Sequence, residues 1–106
     1  MMKKRDRLLV ERFAERVRSL FPDAVIWLFG SRARGDAQED SDFDLLIVLG
    51  EVNPLADRQI REIAWEIGFE NECVLSTVLL TREEFEHGPM SESSLVANVL
   101  REGVRA

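Results

Sequence analysis

Residues 25–49 read VIWLFGSRARGDAQEDSDFDLLIVL, and this stretch decides the fold because it holds two apolar runs separated by a polar segment. The first run, residues 24–29, is rich in β-forming side chains and is broken by Gly30, which predicts a strand. The second run, residues 42–49, has a continuous apolar end. Such an end is typical of a strand that lies in the centre of a sheet and is covered by helices.

Helical patterns flank these two strands. Apolar residues recur at helical spacing over residues 3–20 and again over about residues 55–69. The other predicted elements are a strand at residues 73–80, a short helix at residues 82–86 that begins with a capping box, and a last helix capped by Ser93 or Ser94. This order predicts an α+β (α/β layered) fold, with residues 1–106 forming a single domain.

Composition excludes several classes of protein. With 45% apolar and 32% charged residues, a chain of 106 residues is expected to fold as one globule. No apolar run approaches the roughly 18 residues of a membrane span, so no membrane association is expected. The single cysteine, Cys73, fits a cytoplasmic location, and the net charge of −6 argues against bulk DNA binding.

Some polar and aromatic residues are expected to have no chemical role. Trp27 and Trp65 are predicted to have packing roles, with stacking on adenine as the alternative. A solvated tail is expected near the end of the chain, at Arg101, Glu102 and Arg105.

Two carboxylates stand at the start of the second predicted strand. Asp42 and Asp44 are two residues apart, so on a strand both side chains emerge on one face while Phe43 points to the other. A divalent cation would remove the repulsion between them, and hard oxygen ligands suit Mg²⁺. Two such ions would bracket an in-line displacement at phosphorus. Taken alone, the pattern favours a solvated strand start.

A polar turn precedes these carboxylates. Gly30 allows a phosphate to approach the backbone closely, and Ser31 offers a hydroxyl group where a helix can begin. Arg32 and Arg34 add cationic donors for phosphate oxygens. In isolation, an ordinary polar turn explains these residues as well.

Together these residues carry a resemblance. Residues 30–35, GSRARG, and residues 41–45, SDFDL, resemble the signature G-S-x-A-R-G, spacer, S-D-x-D-L of the minimal nucleotidyltransferase family of the DNA polymerase β superfamily. The resemblance implies the nucleotidyltransferase fold, in which helices pack mainly on one face of a small mixed β-sheet.

The same resemblance implies an activity. A nucleoside monophosphate, with AMP from ATP preferred, would be moved to an acceptor hydroxyl on a protein or RNA, and pyrophosphate would be released. The implied site has nucleotide-binding residues Gly30, Ser31, Arg32 and Arg34, and catalytic Asp42 and Asp44, which would also ligate Mg²⁺ in a two-metal site. Bare domains of this family are often paired with a helical partner protein in modules that resemble toxin–antitoxin systems, with the nucleotidyltransferase as antitoxin.

The chain departs from the family at a later strand, where active members carry a third carboxylate. Residues 72–78 read ECVLSTV and contain no aspartate, so Glu72 is the one carboxylate there that could complete the catalytic set. A solvated strand edge is the alternative for Glu72. Three functions stay open: an active Mg²⁺-dependent nucleotidyltransferase, a catalytically weak nucleotide-binding or partner-binding module that acts by contact, and an interaction protein that binds no nucleotide.

Overall fold

The computed structural model describes residues 1–88 and 93–106. Its elements, in chain order, are α1 (Lys4–Leu20), β1 (Val25–Phe29), α2 (Gly30–Arg34), β2 (Phe43–Leu49), α3 (Pro54–Asn71), β3 (Leu75–Thr81), α4 (Arg82–Glu86), α5 (Ser94–Glu102) and β4 (Val104–Arg105). The predicted helices and strands are confirmed, with shifts of one or two residues at their ends. The capping box of α4 also forms, since Thr81 and Glu84 exchange side-chain and backbone hydrogen bonds.

The four strands form a mixed sheet in the order β3-β2-β1-β4. β2 pairs in parallel with β3 and antiparallel with β1, so β2 is an interior strand, as its apolar sequence predicted. Residues 45–49 of β2 are all buried. The predicted α+β fold with a mixed sheet is therefore confirmed.

The two long helices pack on one face of this sheet. Phe13 and Val17 of α1 join Ile60 and Ile67 of α3 in the larger core, and all four side chains are fully buried. A smaller core on the other face contains Leu46, Val48, Leu80, Val96 and Val99, and is covered by α5. No helix in the described part of the chain is long and apolar enough to cross a membrane.

The backbone at the end of the chain joins the sheet, so the prediction of a solvated tail is wrong there, although the side chains of Arg101 and Arg105 are exposed as predicted. Val104 and Arg105 pair with β1, and the Ala106 amide donates to the Ile26 carbonyl at 2.9 Å. Glu102 accepts a hydrogen bond from Arg34 at 3.0 Å. The physical reason is the free edge of β1, whose backbone groups take a short partner strand.

The two tryptophans differ in their surroundings. Trp27 packs against the smaller core and stacks with Phe85 at 6.5 Å between ring centroids, which confirms the packing prediction. Trp65 contradicts it, since 67% of its surface is exposed. Its ring instead stacks on that of Phe69, at 5.3 Å between centroids, on the outer surface of α3.

Candidate functional site

Asp42 and Asp44 lie at the start of β2, beside the end of β1. Asp44 is opposite Phe29 of β1 and opposite Ser76 of β3 in the strand registers. Phe43, between the two carboxylates, is 2% exposed and belongs to the larger core. The two carboxylates therefore share the face opposite to Phe43, which is the arrangement that strand alternation predicted.

The electrostatics of Asp44 show that the two carboxylates disfavour each other. Burial is the largest cause that raises the pKa of Asp44, and the negative charge of Asp42 raises that pKa further. The positive charge of Arg34 acts in the opposite direction. The doubly ionised pair is thus an unfavourable arrangement that a bound cation would relieve.

The donor set fits Mg²⁺ with substrate oxygens completing the shell. Within residues 1–88 and 93–106, no group of three or more His, Cys, Asp or Glu side chains could hold a metal. Asp42 and Asp44 would supply two carboxylates to a cation site at this edge of the sheet. Mg²⁺ typically takes one or two carboxylates and keeps waters and phosphate oxygens as its other ligands.

Gly30 brings the backbone of the polar turn against these carboxylates. Its φ is +75°, a left-handed conformation that side chains with a Cβ rarely adopt. A Cβ at this position would overlap Asp44 Oδ2 and lie 3.4 Å from Asp44 Cγ. The absence of a side chain therefore lets the backbone of the Gly30-Ser31 turn pack against Asp44.

Arg34 supplies positive charge at the edge of the site. Its guanidinium is exposed and forms ion pairs with Asp36 at 3.2 Å and Glu102 at 3.0 Å. The hydrogen bond to Asp36 is the first cause of a raised pKa for Arg34, so the group stays cationic. Its positive charge lowers the pKa of Asp44, against the larger effects of burial and of Asp42.

Arg32 has a different position from the one its motif suggested. Its side chain is 3% exposed, and all three guanidinium nitrogens donate to protein oxygens, on Asp6, Glu39 and Ser41. The guanidinium also stacks over the ring of Phe43, with Cζ at 4.4 Å from the ring centroid. The structure thus gives Arg32 contacts inside the protein, where the sequence predicted binding of nucleotide.

Glu72 does not lie on the strand where the sequence analysis placed it. It is the C-cap residue of α3, with a left-handed φ of 54° and an exposed side chain, and β3 begins only at Leu75. Ser76 is instead the β3 residue beside the carboxylates, and its hydroxyl donates to Asp42 Oδ2 at 3.3 Å. The sequence analysis did not assign Ser76 to the site. Strand alternation within residues 75–81 indicates that Ser76 faces the carboxylates, but only once the end of α3 is known.

An exposed apolar groove borders the site. Its volume is about 1190 Å³, and its lining includes Trp65, Phe69 and Val74 together with Ser76. The three apolar side chains are 67%, 74% and 58% exposed. Ser76 both lines the groove and contacts Asp42, so the groove borders the carboxylate site at this residue.

Known proteins resemble this chain in sequence. The family model described as a nucleotidyltransferase domain matches residues 10–104. A protein of Methanocaldococcus jannaschii, named as a candidate protein adenylyltransferase, is 31% identical over 74 residues. That alignment covers 67% of this chain and 75% of the M. jannaschii protein.

Solved structures show the same fold. The crystal structure of a candidate nucleotidyltransferase from Sulfolobus solfataricus is 24% identical with a TM-score of 0.60, and the match covers 95% of this chain and 78% of that one. A chain of the complex between the tri-AMPylated HEPN toxin of Shewanella oneidensis and an MNT antitoxin is 18% identical with a TM-score of 0.58. The match covers 94% of this chain and 70% of the chain in the complex.

Proposed function

The chain belongs to the nucleotidyltransferase domain family, as its sequence signature predicted, and from this premise we propose that it transfers AMP from ATP to an acceptor hydroxyl, in the presence of Mg²⁺. The observation that carries the proposal is the packing of Gly30 against Asp44, with Asp42 on the same face. The names of the M. jannaschii protein and the S. oneidensis complex, which refer to adenylylation and AMPylation of proteins, support AMP as the group and a protein as the acceptor, with RNA as the alternative.

Different residues would contact different parts of the triphosphate. The backbone at Gly30 lets phosphate oxygens approach without a steric barrier, and the Ser31 hydroxyl can donate to them. The exposed Arg34 guanidinium, which pairs with Asp36 and Glu102, would exchange these partners for phosphate oxygens and offset their charge. Mg²⁺ held by Asp42 and Asp44 would neutralise charge on the phosphate oxygens and lower the pKa of the acceptor hydroxyl.

The transfer is a displacement at the α-phosphorus. The acceptor oxygen forms a bond to that phosphorus, the bond from the phosphorus to the bridging oxygen of pyrophosphate breaks, and the hydroxyl proton passes to water. The chain contributes orientation and electrostatic stabilisation, since it forms no covalent intermediate in this scheme.

A second candidate function is a weakly catalytic module that acts by contact with a helical partner protein, as an antitoxin does. The observation that favours it is Ser76, a neutral residue at the β3 position beside Asp42 and Asp44. The exposed Trp65–Phe69 pair gives such a partner an apolar surface next to the site. Similarity in fold to a chain of a toxin–antitoxin complex supports this alternative.

Labelling with ATP tests the proposal. The chain is incubated with α-³²P-ATP, Mg²⁺ and a candidate partner protein, and the products are separated on a gel. We expect slow labelling that requires Mg²⁺ and is lost in Asp44→Asn. Asp40→Asn, which removes an exposed carboxylate from the same loop, is the matched control and should label as the wild type does. Labelling that survives Asp44→Asn would reject the assignment of the site.

A further inference from the structure

A buried ion pair connects α1 to the loop that leads into the carboxylate pair. Arg32 Nη1 lies 3.4 Å from both carboxylate oxygens of Asp6, and the two residues are 3% and 2% exposed. Asp6 is in the first turn of α1 and Arg32 in α2, so the pair joins two elements that are 26 residues apart in sequence.

The other contacts of Arg32 fall on both sides of Asp42. Its Nη2 donates to the carbonyl of Ser41 at 2.8 Å, and its Nε donates to the same oxygen at 3.2 Å. Nη2 also donates to the carbonyl of Glu39 at 3.0 Å. The guanidinium then stacks over the Phe43 ring. One side chain therefore holds the residue before Asp42 and the residue after it.

Burial of this pair is not explained by stability alone. Removing two charges from water carries a large desolvation penalty, and a buried ion pair can often be replaced by apolar residues without loss of stability. The contacts to Asp6 are also long for charge-assisted hydrogen bonds. In contrast, the two hydrogen bonds from Arg32 to the Ser41 carbonyl fix the orientation of that peptide group. Apolar side chains would not fix its orientation.

We infer that Arg32, seated on Asp6, is a positioning residue that fixes the backbone around Asp42 and so presents the Asp42 carboxylate to the cation beside Asp44. This inference rests on the proposed function, because it concerns the same Mg²⁺–ATP site. In this role Arg32 acts through the backbone around Asp42 and does not contact phosphate directly. The two roles predict different dependences on Mg²⁺.

Arg32→Lys separates these roles. Lysine keeps a positive charge next to Asp6 but has no planar fork for the carbonyls of Ser41 and Glu39. We expect the Kd for ATP in the presence of Mg²⁺ to rise by about tenfold or more, the range seen when residues that orient metal ligands are changed. The Kd for ATP in EDTA should stay at the wild-type value, because Gly30, Ser31 and Arg34 are untouched.

A control corrects for lost stability. Val17→Ala removes buried volume from α1, which lowers stability without touching the loop, and should leave both Kd values unchanged. Both variants are measured by calorimetry at a temperature where circular dichroism shows them folded. If Arg32→Lys does not fold, Phe43→Leu keeps the core apolar and removes the ring beneath the guanidinium, and the same Mg²⁺-specific loss is expected.

Other outcomes would overturn the inference. Equal weakening with Mg²⁺ and in EDTA would show that Arg32 contacts the nucleotide itself, and unchanged affinity in both would show that it positions nothing. If the wild type shows no Mg²⁺-dependent binding, the proposed function fails. Amide hydrogen exchange then tests the positioning role separately. The Ser41 amide donates to the Gln38 carbonyl, and its exchange should be faster in Arg32→Lys than in Val17→Ala.

Discussion

Replacing Gly30 by alanine is expected to harm both the fold and the carboxylate site, and the structure separates the two effects. A left-handed backbone, here with φ of +75°, costs a residue with a Cβ roughly 1–2 kcal/mol. For a domain of this size that loss corresponds to a fall in melting temperature of roughly 4–16 °C. The overlap of the new Cβ with Asp44 Oδ2 adds a second effect, because the carboxylate must turn away.

Gly35→Ala is the matched control for the backbone effect. Gly35 ends α2 with φ of +86°, so alanine there meets a similar conformational penalty. Its Cβ would meet the backbone of Met1 at the chain terminus and no part of Asp44. Both variants therefore carry a steric penalty in addition to the backbone penalty, and it is the difference in their Mg²⁺-dependent affinity that reports the collision with the carboxylate.

The assay has two parts. Thermal melts followed by circular dichroism measure stability, and calorimetric titration with ATP and Mg²⁺ measures binding. Both variants should melt at lower temperature than the wild type, but Gly30→Ala alone should lose most of its Mg²⁺-dependent affinity. Equal affinities of Gly30→Ala and Gly35→Ala for ATP and Mg²⁺ would refute the argument that the Gly30 backbone and Asp44 form one site.

The remaining predictions concern the carboxylates and their neighbours. Asp42→Asn combined with Asp44→Asn should abolish the Mg²⁺-dependent part of the rise in melting temperature that ATP causes, because a ligand stabilises only the state that binds it. The pKa of Asp44 is raised in the folded state, so the native state binds more protons than the unfolded state. The contribution of Asp44 to the free energy of unfolding therefore falls as pH rises from the ordinary aspartate range. Metal-free Asp44→Asn should then melt above the wild type at neutral pH, and melts in acid should show this advantage shrink. Ser76→Asp should add a third carboxylate and increase labelling from α-³²P-ATP, whereas Glu72→Gln should leave labelling unchanged; the opposite result would place Glu72 in the catalytic set.

Local patterns made most of the fold predictable. The apolar periodicity of α1 and α3 and the continuous apolar end of β2 depend on neighbours in sequence, and each corresponds to an element of the structure. The grouping of Gly30 with Asp44 was also accessible, because an antiparallel pair joined by a polar segment brings the end of β1 to the start of β2.

The errors arose where distant residues decide the outcome. β4 exists because Val104 meets the free edge of β1, a pairing across most of the chain that no local pattern encodes. Arg32 and Arg34 look alike in the motif, but the buried carboxylate of Asp6 is available only to Arg32. Glu72 was misplaced because α3 continues past Gly68 to Asn71, and no glycine or proline follows Asn71 to mark its end.

The same features connect occupancy of the site to stability of the fold. Asp42 and Asp44 repel each other on one face of β2, and the exposed Arg34 offsets that repulsion only in part. Buried contacts from Arg32 hold the loop in place despite the repulsion. In the proposed function, a cation that binds with the triphosphate would remove the repulsion and leave those contacts intact. Its binding energy would then include relief of the unfavourable interaction between the two carboxylates. Variants that loosen the loop should for this reason weaken cation binding more than they weaken binding of the nucleotide alone.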